Sequence, residues 1–315
     1  MRVLVLGGTS LTGPFVVRRL NALGHQVSVF HRGEHETRLP EGVAHIHGDF
    51  SNPPRDLRAL APDVVVHMWA LTEADALRFL DLFGGFAGRG VVVSSCDVYR
   101  AYGRLQRLES GPPGGIPLSE DAPLRESRYP YRDRKGPIEI PGQYDKVLVE
   151  TALRAQDRLP VTILRYPAVY GPSDYHRFRP WVQKMVPGNQ EIRLQDDFAR
   201  WRWTHGFVEN VAESVVLAVT RNVASGRTYN VGEAIALSWA ERLAEWARVA
   251  DWHGRIVSVS ADSLPENERM LQDFSHHLAI DTTRIRRELG YAEIVPREAG
   301  IARTLAWERE PVPVG

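Results

Sequence analysis

The chain has 315 residues with 39 basic and 39 acidic side chains, so no global charge field recruits nucleic acid or an anionic membrane surface. No apolar run reaches the ~18 residues of a transmembrane helix, and no secretory pattern precedes the first apolar stretch, which makes the cytoplasm the expected location. A single cysteine, Cys96, excludes an intramolecular disulfide. There is also no paired-cysteine or His-Glu-x-x-His pattern, so no metal is expected, and His45, His47, His276 and His277 read as strand or surface residues.

The first stretch organises the rest. Val3 to Leu6 is a short β-branched apolar run, Gly7 and Gly8 force a tight turn, and Pro14 to Leu23 has helical spacing ended by Gly24. A strand, a glycine-rich turn and a helix in that order aim backbone N–H groups and a helix N-terminus at one point, which suits a phosphate. Gly7-x-x-Ser10-x-x-Gly13 lets the backbone approach a pyrophosphate, with Ser10 where a second glycine is usual.

Gln26 to His31 closes a βαβ unit. Its end decides between two cofactors. A carboxylate there accepts from a ribose 2′-hydroxyl, whereas an arginine suits a 2′-phosphate. Here His31-Arg32-Gly33 come first and Glu34 only later, so NADP is expected ahead of NAD. Val43 to His47, Asp63 to His67 and Gly90 to Ser95 read as further strands, with a helix over Ala74 to Phe86. Alternation at this spacing implies an α/β protein with a doubly wound parallel sheet, whose ligands sit beyond the carboxyl ends of the strands.

Eight motifs in order then carry a resemblance. They are Gly7-Gly-Thr-Ser-Leu-Thr-Gly13, His47-Gly-Asp49, Ser94-Ser-Cys-Asp-Val-Tyr99, Tyr144-Asp-Lys-Val-Leu-Val-Glu150, Leu164-Arg-Tyr-Pro-Ala-Val-Tyr-Gly-Pro172, Gly206-Phe-Val-Glu-Asn-Val-Ala212, Tyr229-Asn-Val-Gly232 and Arg284-Ile-Arg-Arg-Glu-Leu-Gly-Tyr291. The chain resembles the extended short-chain dehydrogenase/reductase superfamily, the NAD(P)-dependent epimerase/dehydratase group. That resemblance implies a Rossmann domain over residues 1–172, with a long loop at 102–143, and a smaller α+β substrate lobe over 173–315. Residues 206–220 are expected to return to the Rossmann domain.

It further implies cofactor contacts from Gly7, Thr9, Ser10, Leu11, Thr12, Gly13, His31, Arg32, Asp49, Phe50, Met68, Trp69, Ala70, Ser94, Lys146, Tyr166, Pro167 and Val169. Substrate contacts are implied for Tyr99, Arg179 and Arg202, with Arg177 in the same region. A small-molecule substrate and a homodimer built on two helices, one bearing Lys146, belong to the same expectation.

In such proteins a tyrosine moves the substrate hydroxyl proton, a lysine four residues later holds the nicotinamide ribose, and a serine orients the substrate oxygen. Ser95 and Lys146 fill two of these roles. The tyrosine position falls on Gly142, which marks the chain as an atypical member. A second pair, Tyr131 and Lys135, has the right spacing, but Gly136-Pro137 and Pro141 break any helix there. Tyr131 or Tyr129 is left to reach in from the loop as a substitute. Tyr144, two residues before Lys146, stands about 200° away on an ideal helix and is expected to point elsewhere unless the helix starts later. Cys96 reads as a small buried filler. The run Arg200-Trp-Arg-Trp-Thr-His205 reads either as phosphate-binding arginines or as a half-buried strand with its tryptophans inward. A single-stranded nucleic acid is disfavoured as its partner by the neutral charge balance. The functional expectation is a reductase- or epimerase-like enzyme acting on a hydroxyl or carbonyl of a sugar nucleotide or other small metabolite. The alternative is a catalytically silent NAD(P)-binding sensor.

Overall fold

The structure, a computed structural model, describes residues 1–34, 37–132, 140–174 and 177–310. Its strands are β1 (Arg2–Leu6), β2 (Gln26–His31), β3 (Ala44–His47), β4 (Val64–His67), β5 (Arg89–Ser95), β6 (Val161–Tyr166), β7 (Ala168–Tyr170), β8 (Glu191–Gln195), β9 (His205–Phe207), β10 (Thr228–Asn230) and β11 (Arg255–Val259). The helices are α1 (Gly13–Ala22), α2 (Glu73–Phe83), α3 (Arg100–Leu105), α4 (Lys146–Arg154), α5 (Arg179–Val182), α6 (Asp196–Arg200), α7 (Val208–Thr220), α8 (Trp239–Val249), α9 (Thr283–Leu289) and α10 (Arg297–Arg309).

Seven parallel strands form the central sheet in the order β10-β6-β5-β4-β1-β2-β3. The chain order reverses between β1 and β4, which is where a doubly wound sheet opens a crevice for a ligand. Alternation along β1 shows why the sheet needs cover on both faces. Val3 and Val5 pack with Val16, Val17 and Leu20 of α1 and Val211 and Val215 of α7. Leu4 and Leu6 point the other way, into Phe79 and Phe83 of α2 and Val149 and Leu153 of α4. Each such fully buried side chain is worth roughly 1.5–3 kcal/mol.

Helix bounds follow local chemistry. α2 starts at a capping box between Thr72 and Asp75 and stops at Gly84-Gly85, short of the expected Phe86. α8 matches the amphipathic run, capped by Ser238 and Glu241. The long loop is tied down at several points: α3 covers its start, Tyr99 bridges Leu124, and Leu118 bridges Ile280. Beyond the sheet, β7 pairs with β9 and β8 with β11, around an aromatic core in which Phe178 stacks on Trp246 at 3.9 Å. In the Arg-Trp run Trp201 is buried, Arg202 and Trp203 make isolated bridges, and the strand proper begins at His205.

Candidate functional site

The glycine turn is built for close approach. Gly7 has φ +82°, a left-handed conformation that favours glycine, and its N–H donates to Phe30 at 2.9 Å. A Cβ on Gly13 would lie 2.7 Å from the backbone carbon of Gly8, so only glycine lets α1 begin this close to the turn. Thr12 is buried near the Tyr166 phenol, while Thr9, Ser10 and Leu11 form the outer rim of the turn. A tight turn at a helix N-terminus, with space only for glycine, fits a dinucleotide pyrophosphate.

Register aligns the strand ends on this turn, with Leu6 beside both Phe30 and His67 and His31 beside His47. At the adenosine end His31 is the last residue of β2 and Arg32 is exposed, paired with Glu34 at 2.8 Å. The Asp49 carboxylate accepts from the Ser51 N–H at 2.8 Å, and the Ser51 hydroxyl together with this bond holds it below the usual range. Phe50 packs edge-on to Phe30 and His67. His31, His45 and His47 converge there, with ligating atoms within 4.8 Å of one another. His31 Nδ1 accepts from the Gly33 N–H and its Nε2 faces His45 Nδ1 at 3.0 Å, so this ring already spans strand and turn.

Met68 and Trp69 follow β4, and Trp69 is half-exposed against Gly7. The Ala70 carbonyl accepts from Lys146 Nζ at 2.7 Å, and the Val93 carbonyl from the same nitrogen at 2.9 Å. Burial lowers the Lys146 pKa to about 8, and burial with Lys146 nearby lowers that of His67 to about 3, so His67 is neutral at physiological pH. Pro167 packs under Gly206 and Gly232, and Val169 is buried. Ser94 does not face the cleft: its hydroxyl donates to buried Glu150 at 2.7 Å.

The tyrosines of this region take different places. Gly142 lies exposed in a turn, where a Cβ would meet open space. α4 begins at Lys146 itself because Asp145 caps it, accepting from the Val147 N–H. Tyr144 therefore precedes the helix, and the 200° separation expected on a helix does not apply. Its buried phenol donates to Asp97 Oδ2 at 2.6 Å, faces the Ser95 hydroxyl, and holds its ring centroid 5.9 Å from Lys146 Nζ. Tyr131 reaches the same carboxylate more loosely, at 3.3 Å, and accepts from the Tyr102 hydroxyl at 2.7 Å. Tyr129 turns its ring under Arg132. Lys135 lies outside the described residues.

Sequence reasoning missed Asp97 and Arg125. Asp97 sits inside the Ser-Ser-x-x-Val-Tyr motif, 4% exposed, and burial raises its pKa although Arg125 and Lys146 oppose the rise. Arg125 is fully buried and binds the Asp97 carbonyl, the Ser127 carbonyl and the Asp145 carboxylate. Asp145 also accepts from the Tyr129 N–H at 2.8 Å, so the helix cap holds the loop that carries Tyr131. The Asp-Lys pair at the helix start was the available signal. Cys96 is buried, and burial pushes its thiol up to about 12.

The residues expected at the substrate have partners within the fold. The Tyr99 phenol is buried between Asn230 and Arg165. Arg179 pairs with Glu308 at 3.1 Å, and Arg202 with Glu241 at 3.2 Å and the Ala236 carbonyl. Arg177 stacks on Trp203 at 4.9 Å beside Cys96, Tyr102 and Tyr131, and burial lowers its pKa.

The model of the NAD dependent epimerase/dehydratase family matches residues 3–232. The chain belongs to that family. It is 29% identical over 255 residues to 2′-dehydrokanamycin reductase of Streptomyces kanamyceticus, covering 76% of this chain and 64% of that one. It is 30% identical over 193 residues to dTDP-glucose 4,6-dehydratase of Streptomyces griseus, covering 60% of this chain and 52% of that one. These alignments thus span only about half to just under two-thirds of the relatives' length. The Thermus thermophilus UDP-glucose 4-epimerase complex with NAD superposes with a TM-score of 0.69 at 22% identity, covering 99% of this chain and 100% of that one, a likeness of fold.

Proposed function

We propose that this family member is an NADP(H)-dependent oxidoreductase acting on a hydroxyl or carbonyl of a small metabolite, with Tyr144 in the role of the phenol. The observation that carries it is the convergence of Tyr144, Ser95 and Lys146 at the end of β5, although Tyr144 stands two residues before the lysine rather than four. With its pyrophosphate at the glycine turn, a bound dinucleotide would supply or accept a hydride at the substrate carbon. Ser95 orients the substrate oxygen, and Tyr144 moves its proton. Lys146 keeps its ammonium fixed by two carbonyls and directs a remaining proton toward the cofactor ribose.

NADP rather than NAD is supported by Arg32 following β2, where a carboxylate would suit the free ribose hydroxyl. Asp49 and Phe50 would border the adenine. The pair of Arg179 with the fully buried Glu308 argues for a substrate without a nucleotide diphosphate, whereas the exposed pairs of Arg202 with Glu241 and Arg32 with Glu34 leave those guanidiniums able to turn to a phosphate. Arg177 remains in the cleft for a single anionic or polar group, under the same reading.

NADPH consumption with a panel of ketones, including ethyl acetoacetate and keto sugars, tests the proposal. Turnover that Tyr144→Phe lowers by about 10²–10⁴ with NADPH affinity kept supports it. NADPH binding with no turnover of any ketone or alcohol favours a sensor instead. No binding of either nucleotide sinks both.

A further inference from the structure

Asp97 is a buried carboxyl with no conventional reason to be where it is. It follows the end of β5, its Oδ2 accepts from Tyr144 at 2.6 Å and from Tyr131 at 3.3 Å, and its Oδ1 is buried without a hydrogen-bond partner among the described residues. A carboxylate taken out of water and left half-satisfied loses hydration that nothing in the fold restores. A wholly structural polar cluster would be expected to satisfy both oxygens. The groups facing it are few. Arg125 and Lys146 bear positive charge, Ser95 and the two tyrosines can donate to it, and Cys96 is its neighbour in sequence.

From this juxtaposition we propose that Asp97 is the proton acceptor behind Tyr144, a positioning residue that takes the phenol's proton as the phenol takes the substrate's. The inference rests on the oxidoreductase reading above. In the oxidative direction the substrate O–H bond breaks and its proton passes to the Tyr144 oxygen, while the Tyr144 O–H bond breaks and that proton passes to Asp97 Oδ2. The hydride leaves with its electron pair to NADP+, and the substrate becomes a carbonyl. In reduction each transfer runs backwards, and Asp97 as the neutral acid returns its proton to the phenol. The arrangement explains how a tyrosine off the helix can serve without close approach of the lysine ammonium. It moves the proton onward instead of relying on a free phenolate beside Lys146. Tyr131, held by Tyr102, is the second donor that keeps the carboxylate turned toward the cleft. Burial raises the proton affinity of both the carboxyl and the phenol, so the short bond between them, not a matched acidity, carries the transfer.

Two measurements on the NADP+-bound protein test this. In carboxyl ¹³C NMR, with the Asp97 signal identified by its loss in Asp97→Asn, the midpoint should lie above the ordinary aspartate range and rise further in Tyr144→Phe, which removes a donor to the charged form. In the oxidation of ethyl 3-hydroxybutyrate, Asp97→Asn should lower kcat at least about 100-fold and abolish the acidic limb of the pH profile, while NADP+ affinity stays within about threefold. Asparagine keeps the shape and can still accept from Tyr144, so a purely structural role would leave the profile in place. An Asp97 midpoint unmoved by Tyr144→Phe, or an Asp97→Asn rate within threefold of the parent with its acidic limb retained, overturns the inference. Failure of the parent protein to bind NADP+ overturns the oxidoreductase reading instead.

Discussion

Lys146 shows how one residue couples burial to function. Two backbone carbonyls hold its ammonium, yet burial brings its pKa to about 8, well below the ordinary 10.5. The sign of the linkage follows. Between about 8 and 10.5 the unfolded chain holds the proton and the folded chain has lost it, so this lysine makes stability rise with pH across that window. Under the role proposed for Lys146, cofactor affinity should run the other way, weakening as pH climbs through about 8, because the cation assigned to the ribose is lost. Titrating NADPH fluorescence from pH 6.5 to 9.5 checks this, and Lys146→Met should flatten the dependence. Lys146 and Ser95 could be named from sequence because each sits in a local motif. The place of Tyr144 could not, since it depends on where a helix begins and on a carboxyl elsewhere in the chain.

At the scale of elements, the start of α4 decides what the site contains. Asp145 caps the helix, pairs with buried Arg125 at 3.2 Å, and accepts from the Tyr129 N–H. Loss of a cap costs about 1 kcal/mol, whereas leaving a buried cation unpaired costs about 3–5 kcal/mol. Asp145→Ala should therefore destabilise by about 3–5 kcal/mol in chemical denaturation, and adding Arg125→Met should recover part of that loss. The cap was readable, because an aspartate immediately before an amphipathic run is a start signal. Reading it would have put Tyr144 outside the helix and removed the angular objection to it. The glycine turn was fully legible, since its constraint is local. Gly13→Ala should abolish nucleotide binding measured by calorimetry, because its Cβ would press on the Gly8 backbone at 2.7 Å.

Over the whole molecule, one buried ion pair ties α4 to the central sheet. Glu150 on α4 receives two bonds from Arg165 on β6, at 2.9 and 2.7 Å, and a third from Ser94 on β5. Burial alone would raise the Glu150 pKa, but Arg165 outweighs it and the carboxyl sits below its ordinary 4.5. This contribution is thus complete above about 4.5 and is lost as pH falls from there through the folded value. Glu150→Gln should lower the parent's stability at pH 7 by about 3–5 kcal/mol and leave a smaller difference near pH 3, as read by urea unfolding. The parallel, doubly wound sheet was legible because hydrophobic runs and βα alternation are periodic. The fates of Arg179 and Arg202 were not, because their partners Glu308 and Glu241 are 129 and 39 residues away. Sequence shows that an arginine is present, and only the fold shows which carboxylate has already taken it.

A crystal structure with NADP+ bound decides whether Tyr144 is the phenol of this site. The Tyr144 phenol and the Ser95 hydroxyl should lie on one side of the nicotinamide C4, both within about 2.6–3.2 Å of a shared substrate-oxygen position. A nicotinamide bound with Tyr144 turned away, and with only the Gly142 turn and solvent beside C4, would contradict that assignment.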